Sequence, residues 1–414
     1  MIHGLKMLKN TILFFVLILI SCGNISRPKD SLNNREMSSS NNEIEDQPII
    51  VGANRTEIYL PELKGKKVGI VANQTSVIFK NDQSYTHLVD SLVSLNVSIK
   101  AVFAPEHGFR GKADAGEHVN DGMDSKTGLP IISLYGNNKK PKPEQLEDID
   151  VLVFDIQDVG ARFYTYISTL HYVMEACAEL NISIIILDRP NPNGHYVDGP
   201  ILEPEFQSFV GMHPIPVVHG MTIGEYAQMI NAEGWLKDKI TCDLLVVPMD
   251  NYNHKKSYDL PIKPSPNLPN AHAINLYPSL CFFEGTNVNA GRGTEKQFQV
   301  FGSPHLRAST FPYSYTPESN EGAKHPKHEG KLCYGMDLSN LEPLDQLDLS
   351  HIIKAYRHTT NQEAFFNSFF DKLAGTKKLK QQIMDGLSNE EIRASWKEGL
   401  EVFRMKRERY LIYP

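Results

Sequence analysis

Apolar runs alternate with amphipathic segments between residues 66 and 249, and this alternation predicts the fold class. Runs rich in Val, Ile and Leu are typical of strands that are buried on both faces of a parallel sheet. The predicted strands are 66–73, 97–105, 129–136, 150–158, 182–190 and 242–249. The predicted helices between them are 87–95, 142–149, 164–181 and 222–236. Buried strands that alternate with helices predict a Rossmann-like α/β domain with a parallel sheet.

The pattern changes after residue 255. Residues 260–279 contain five prolines, which predicts an extended loop rather than a helix. Helical patterns return from 351–358 to the C-terminus. We therefore predict a Rossmann-like catalytic domain over 49–255 and a smaller α+β domain over 256–414.

The N-terminal segment has the pattern of an export signal. Lys6 and Lys9 precede the apolar stretch 11–20, and "LISC" at 19–22 resembles a bacterial lipobox. We predict a lipoprotein signal peptide over 1–22 with a lipid-modified Cys22; a plain signal anchor is the alternative. Residues 23–48 lack aromatic side chains and are rich in Asn, Ser and charge, which predicts a disordered tether. The expected location is the cell envelope, where the lipid-anchored protein faces the periplasm or the exterior.

The composition of the chain argues against several classes of binding partner. The chain has 414 residues, 41% of them hydrophobic, and a formal net charge of −7. This balance and the lack of a basic cluster argue against nucleic acid as a partner. No GxGxxG or GxxxxGK[ST] motif occurs, so neither a nucleotide nor another cofactor is expected despite the Rossmann-like pattern. The four cysteines after Cys22 are widely spaced, which predicts buried free thiols.

Polar side chains cluster where the predicted strands end, and ligands bind at the carboxyl ends of parallel strands. These side chains are Asn73 and Gln74 after the first strand, Glu106, His107 and Arg110 after the second, Asp155, Asp158, Arg162 and Tyr164 around the end of the fourth, Asp188, Arg189 and Asn191 after the fifth, and His219 further along. Asp155 could instead cap a helix or pair with an arginine inside the fold, and Asp188 could be a turn residue.

The stretch "VFAPEHGFRG" (102–111) contains the strongest candidate for a catalytic residue. It places Glu106 at the end of an apolar run, at the mouth of a partly dry cleft, and glycines follow it. Burial raises the pKa of a carboxyl group, and a general acid needs a raised pKa near neutral pH. We therefore predict Glu106 as a general acid, with His107 or Arg110 orienting it.

A second polar segment, 282–306, is rich in glycine. Its side chains Glu284, Asn287 and Arg292 suit a polyhydroxylated or acetamido ligand, and Arg292 could bind a carboxylate through two hydrogen bonds. The alternative is a glycine-rich surface loop.

Two other kinds of site are weaker candidates. Glu106, His107, His219 and Asp155 are ligand types for zinc or manganese, but the chain has no HExxH motif or His-x-His pair, so no metal site is predicted. A GxSxG motif is missing as well, which argues against a serine hydrolase.

Several blocks together resemble one known family. The blocks are "GIVANQTS", "APEHGFRG", "TGLPIISLYG", "DIQDVGARFYTYISTL", "LDRPNPNG", "HGMTIGE", "PSPNLP" and "FEGTNVNAGRGTEKQF". They are similar to the bacterial exo-β-N-acetylmuramidases, from about residue 58 to the C-terminus. The resemblance implies a glycoside hydrolase that cleaves the β-1,4 bond and releases N-acetylmuramic acid (MurNAc) from the non-reducing end of peptidoglycan fragments. It also implies an active site in a cleft between the two domains.

The resemblance gives roles to individual residues. Glu106 matches the PEHG motif and would be the general acid. Arg162 or Arg292 would bind the lactyl carboxylate of muramic acid. The second catalytic group stays open among Asp155, Asp158, Asp188, Glu284 and the acetamido oxygen of the substrate. A non-catalytic peptidoglycan-binding lipoprotein and a metal-dependent cell-wall hydrolase are the competing functions.

Overall fold

The computed structural model describes residues 47–81, 84–110 and 121–414. The predicted signal peptide, Cys22, most of the predicted tether and Gly111 lie outside these ranges. Residues 48–414 form one compact unit. None of its described helices combines the length and the apolar character needed to cross a membrane.

The strands of the described ranges confirm the predicted alternation. They are β1 (Lys67–Ala72), β2 (Val77–Phe79), β3 (Tyr85–His87), β4 (Ser98–Ala104), β5 (Gly122–Met123), β6 (Pro130–Ser133), β7 (Val151–Asp155), β8 (Ser183–Leu187), β9 (Leu244–Val247), β10 (Val300–Ser303), β11 (Tyr313–Tyr315) and β12 (Cys333–Asp337). Each of the six predicted strands is present and is shorter than its apolar run. The polar residues at the ends of the runs leave the sheet and are available for contacts beyond its edge.

The main sheet of the described residues has the strand order β5-β6-β4-β1-β7-β8-β9. Its strands run parallel, except for β5, which pairs antiparallel with β6. When the six parallel strands are numbered along the chain, their order is 3-2-1-4-5-6, which is the order of a Rossmann fold. The order reverses between β1 and β7, so the carboxyl ends of these strands, and of β4 beside β1, form the expected ligand-binding edge.

The helices pack on both faces of this sheet and continue into the C-terminal region. They are α1 (Thr56–Leu63), α2 (Leu88–Ser94), α3 (Pro143–Leu146), α4 (Tyr166–Leu180), α5 (Ile223–Ala232), α6 (Ala271–Leu280), α7 (Ser350–His358), α8 (Phe370–Ala374), α9 (Lys378–Met384), α10 (Asn389–Ala394) and α11 (Lys397–Arg407). Helix α5 begins at a capping box, in which the Thr222 side chain accepts from Glu225 N and the Glu225 side chain accepts from Thr222 N.

The extended loop predicted over 260–279 is wrong in its second half, because α6 occupies that part. The Asn270 side chain caps the helix by accepting from Ala273 N over 2.8 Å. Pro278 lies inside the helix and leaves the Ile274 carbonyl without its usual N–H donor. Asn193 Nδ2 donates to that carbonyl over 3.1 Å, so a side chain from the α/β region replaces the lost bond.

The C-terminal region contains a small antiparallel sheet, β10-β12-β11, and the helices α7 to α11. This confirms the smaller α+β part, while the boundary at residue 255 stays a prediction. One apolar core joins the two parts, since Phe154 of β7 and Phe370 of α8 belong to the same buried cluster. The four cysteines of the described ranges are buried free thiols, as predicted.

Candidate active site

The chain turns sharply directly after β4. The amide of Gly108 donates to the Pro105 carbonyl over 3.0 Å, which closes a tight turn around Glu106 and His107. His107 has a φ of 71°, a left-handed conformation that costs a side-chain-bearing residue about 1 kcal/mol or more. Strain of this kind concentrates at functional sites, where the surrounding structure maintains it.

Residues around the start of α4 fix the Glu106 turn. The Thr165 hydroxyl, one residue before the helix, donates to Glu106 Oε2 over 2.7 Å. The Tyr166 hydroxyl accepts from Asn73 Nδ2 over 2.9 Å and lies 3.5 Å from the Glu106 carbonyl oxygen. Burial raises the pKa of the Tyr166 hydroxyl, which keeps it neutral. Thr165 and Tyr166 therefore contact Glu106 directly, and Asn73, which follows β1, contacts it through Tyr166.

A pocket of about 710 Å³, partly open to solvent, lies beside this turn. Two carboxylates, Glu106 and Glu284, line it together with His107 and Arg292. The remaining lining residues are mainly aromatic or apolar: Phe163, Tyr164, Thr165, Tyr166, Val210, Ser265, Asn267, Leu268, Tyr277, Cys281, Phe298, Phe369 and Leu373. A mostly apolar wall with a few polar groups is typical of a small-molecule site.

Glu284 enters the pocket from the glycine-rich segment. Its Oε2 lies 3.5 Å from Arg292 Nη1, and Arg292 Nη2 donates to the Gly322 carbonyl over 3.3 Å. Below the segment, Lys327 Nζ donates to the carbonyls of Phe283, Thr286 and Val288 over 2.6 to 3.0 Å. These bonds hold the backbone that carries Glu284, so this segment is a built wall of the pocket and not a loose surface loop.

Asp155 and Asp188 have structural partners instead. Asp155 is 0% exposed, and Arg189 binds it through Nε and Nη2 over 2.6 and 2.9 Å. Asp188 accepts from the hydroxyls of Thr222 and Tyr413, each over 2.7 Å, and burial raises its pKa to about 7. The described residues that line the pocket include neither carboxylate. The expectation that one of them is the second catalytic group does not fit this geometry, because their oxygens are already bonded inside the fold.

Asp158 and His219 lie close together inside the fold, and both are buried. Asp158 Oδ2 accepts from Gly160 N over 2.7 Å and lies 3.8 Å from His219 Nε2. Burial raises the pKa of Asp158 to about 7 and lowers that of His219 to about 3. The pair is absent from the described residues that line the pocket.

The expected carboxylate-binding role of Arg162 does not fit the structure. Arg162 is 0% exposed, and its guanidinium donates to the backbone carbonyls of Pro200, Ile215, Leu373 and Ala374 over 2.7 to 2.9 Å. Burial lowers its pKa to about 9. Arg162 therefore ties the C-terminal part of α8 to the α/β region, and a substrate cannot reach it.

Arg110 and three other predicted binding residues have partners within the protein. Arg110 pairs with Asp90 and Asp124, over 3.1 and 2.8 Å. The other three have these partners: Gln74 donates to the Lys263 and Pro264 carbonyls, Asn191 donates to the Met221 carbonyl, and Tyr164, which also lines the pocket, donates to the Pro264 carbonyl. Asn287 follows Glu284 closely, and its side-chain amide has no hydrogen-bond partner among the described residues.

Sequence reasoning missed several lining residues. Thr165 lies between two tyrosines in "FYTYIS" and inside the predicted helix 164–181, whereas the observed helix begins one residue later, at Tyr166, and leaves the Thr165 hydroxyl in front of it. Tyr277, Asn267 and Phe369 had no such signal, because they reach the pocket only through the tertiary fold. Over the described ranges, no three His, Cys, Asp or Glu side chains group closely enough to hold a metal ion.

Comparison with known proteins gives consistent matches over the folded part of the chain. Residues 68–272 match the family described as "Exo-beta-N-acetylmuramidase NamZ, N-terminal", and residues 275–413 match its C-terminal counterpart. The chain is 42% identical over 381 residues to a Bacillus subtilis (strain 168) protein named peptidoglycan beta-N-acetylmuramidase NamZ. That alignment covers 86% of this chain and 89% of the relative.

Two solved structures of Bacteroides fragilis NCTC 9343, both described as DUF1343 family proteins, have the same fold. The first is 46% identical, with a TM-score of 0.81 over 89% of this chain and 99% of its own. The second is 30% identical, with a TM-score of 0.72 over 88% of this chain and 99% of its own.

Proposed function

The chain belongs to the exo-beta-N-acetylmuramidase NamZ family, and from this premise we propose that the pocket containing Glu106 and Glu284 is where it hydrolyses its substrate. The protein is a glycoside hydrolase that acts on peptidoglycan as an exo-β-N-acetylmuramidase. We propose further that the bond it cleaves is the β-1,4 bond after a MurNAc at the non-reducing end. This assignment of the site rests on one observation: two carboxylates, Glu106 and Glu284, line the same pocket.

Glu106 is the proposed general acid. In most glycosidases one carboxyl group protonates the glycosidic oxygen as an oxocarbenium-like state develops at the sugar. Glu106 stands at the pocket wall on a fixed turn, and Thr165 orients its carboxyl group. His107 lines the same wall, and its left-handed backbone turns the chain directly after Glu106.

Glu284 is the proposed second carboxylate. Of the candidates Asp155, Asp158, Asp188 and Glu284, the described lining of the pocket includes Glu284. Its side chain is 26% exposed, so substrate and water can reach it. From this position it acts on the anomeric carbon, directly or through a water molecule, or it orients the acetamido group of the substrate.

Arg292 is the proposed binding group for the lactyl carboxylate, which distinguishes MurNAc from N-acetylglucosamine (GlcNAc). Guanidinium binds carboxylate with charge-assisted hydrogen bonds, often two at once. Arg292 lines the pocket beside Glu284. A bound lactyl group would place the sugar ring next to both carboxylates.

The site assignment is tested by measuring the MurNAc that the purified protein releases from MurNAc–GlcNAc, with and without EDTA. Glu106→Gln and Glu284→Gln preserve shape and remove the titratable group. Loss of general acid–base catalysis lowers kcat by roughly 10²- to 10⁴-fold. Because the two groups act in one reaction, the double variant should be little slower than the slower single variant. Wild-type release together with a fully active Glu106→Gln variant would refute the assignment.

The lipid anchor is a proposal supported by the sequence alone. Cys22 follows an apolar stretch in a lipobox-like sequence and lies outside the described residues. Lipid modification there would keep the enzyme in the cell envelope, facing the periplasm or the exterior. The test is membrane fractionation of the wild type and Cys22→Ser; if both fractionate alike, the anchor proposal fails.

A further inference from the structure

One aromatic side chain of the pocket differs from the others in its exposure. Phe369 is 37% exposed, whereas Phe163, Tyr164 and Tyr277, which line the same pocket, are 3 to 8% exposed. Phe369 is therefore the aromatic ring at the mouth of the pocket. An apolar ring in water costs free energy, so its presence beside a sugar-binding pocket calls for an explanation.

The packing of α8 does not supply that explanation. Phe370 is fully buried, with its ring 4.6 Å from that of Phe366 and 5.9 Å from that of Phe282. Lys380 Nζ lies 5.6 Å from the centre of the Phe366 ring. Across the described part of the chain, no ring or cation contacts the Phe369 ring in this way. Phe370 and Phe366 belong to the apolar core or pack against it, and Phe369 does not.

The backbone nevertheless holds Phe369 in a fixed position relative to Glu284. Asn367 Nδ2 donates to the Glu284 carbonyl over 3.3 Å, and Asn367 N donates to the Gly285 carbonyl over 2.9 Å. Asn367 Oδ1 in turn accepts from Phe369 N over 2.8 Å. Gly285 permits this close contact, because a Cβ there would lie 2.5 Å from the Phe370 Cα. The segment that carries the second carboxylate thus also fixes the ring at the mouth.

We propose that Phe369 is the stacking surface for the sugar on the leaving-group side of the scissile bond, and that it makes the enzyme specific for a pyranose at that position. The inference rests on the proposed function of the Glu106–Glu284 pocket. An exo-acting enzyme encloses the terminal sugar, so the second ring points out of the pocket. The apolar face of that ring then covers Phe369, and an aromatic side chain offers a large, rigid contact area at low entropic cost.

The experiment measures binding separately from chemistry. In the Glu106→Gln background, calorimetry compares the affinities for MurNAc–GlcNAc and for free MurNAc, with and without Phe369→Ala. We expect roughly tenfold weaker disaccharide binding in the Phe369→Ala protein and unchanged binding of MurNAc. Phe369→Trp should restore the affinity for the disaccharide. Met405→Ala, which shortens an apolar side chain that is 63% exposed on α11, is the matched control and should leave both affinities unchanged.

Two results would overturn the inference. In the first, the affinity for the disaccharide is the same with and without Phe369→Ala. In the second, Phe369→Ala lowers the affinities for the disaccharide and for free MurNAc equally, which would place the ring against the terminal sugar. The release of MurNAc by the wild-type protein is measured as well, so that a failure of the stacking role can be distinguished from a failure of the proposed function. A wild type that releases no MurNAc refutes the function, whereas an active wild type with unaltered Phe369→Ala binding refutes only the stacking role.

Discussion

The Thr165 hydroxyl donates to Glu106 Oε2 over 2.7 Å, and this bond joins the start of α4 to the turn after β4. Glu106 is 59 residues away from Thr165 in sequence, so the contact depends on the Rossmann-like topology. It orients the carboxyl group of the proposed acid, and the role of the hydroxyl is testable with an isosteric change.

Thr165→Val removes the hydroxyl and keeps the shape of the side chain. A misplacement of a reacting group by about 1 Å can cost about 10²-fold in rate, so we expect kcat to fall roughly 10- to 100-fold with little change in KM. Steady-state kinetics on MurNAc–GlcNAc measure both values. Thr165→Ser retains the donor and should stay within a few-fold of wild type. Equal kcat values for Thr165→Val and wild type would show that the bond does not orient the acid.

Arg292→Leu tests recognition of the lactyl carboxylate. Losing a charge-assisted contact should raise KM for MurNAc–GlcNAc roughly 10- to 100-fold, and Arg292→Lys should recover only part of it, because ammonium lacks the planar fork. Arg307→Leu, at an exposed position outside the described pocket lining, should leave KM unchanged. The proposal is contradicted if Arg292→Leu weakens binding of GlcNAc–GlcNAc as strongly as that of the muramyl disaccharide.

His87 makes the stability of the fold sensitive to acid. Its Nε2 donates to the Asn73 carbonyl over 2.9 Å, its ring contacts Phe109, and burial lowers its pKa to about 4. The unfolded chain binds the proton near pH 6.5, so the free energy of unfolding falls as the pH drops from about 6.5 to 4. This single group contributes a loss of roughly 2 kcal/mol at pH 5.

Urea unfolding of His87→Gln at pH 7.5 and pH 5 checks this expectation. At pH 7.5 the variant should be less stable than the wild type, because the ring contact is gone. Between pH 7.5 and pH 5 its free energy of unfolding should fall by less than that of the wild type. His325→Gln is the control, since the His325 side chain is 92% exposed and should not change the pH dependence. An identical pH dependence in His87→Gln and wild type would mean that His87 is not protonated during acid unfolding.

The sequence predicted the sheet and the position of Glu106 because both depend on local pattern: a buried apolar run, then a turn with glycine. It could not separate Asp155 and Asp188 from a catalytic carboxylate, since their identity depends on partners far along the chain. Asp155 binds Arg189, 34 residues away, and Asp188 binds Tyr413, 225 residues away. Helix α6 was missed for the same reason, because the donor that compensates for Pro278 comes from Asn193.

Asp158 affects stability in the direction opposite to His87. Its pKa rises from the usual 3.8 to about 7, so the neutral form is favoured in the folded state. The unfolded chain releases the proton near pH 4, and the free energy of unfolding therefore falls as the pH rises from about 4 to 7. Above pH 7, this group lowers the free energy of unfolding by at most roughly 4 kcal/mol relative to its value below pH 4.

Asp158→Asn keeps the acceptor for Gly160 N and cannot ionise. We expect it to be more stable than the wild type at pH 8 and nearly equal to it at pH 4, with kcat retained because Asp158 lies outside the described pocket lining. The effects of Asp158 and His87 oppose each other over nearly the same pH range. Each must therefore be measured as a difference between variant and wild type. If Asp158→Asn loses activity at unchanged stability, then Asp158 takes part in the reaction, and the assignment of Glu284 as the second carboxylate is wrong.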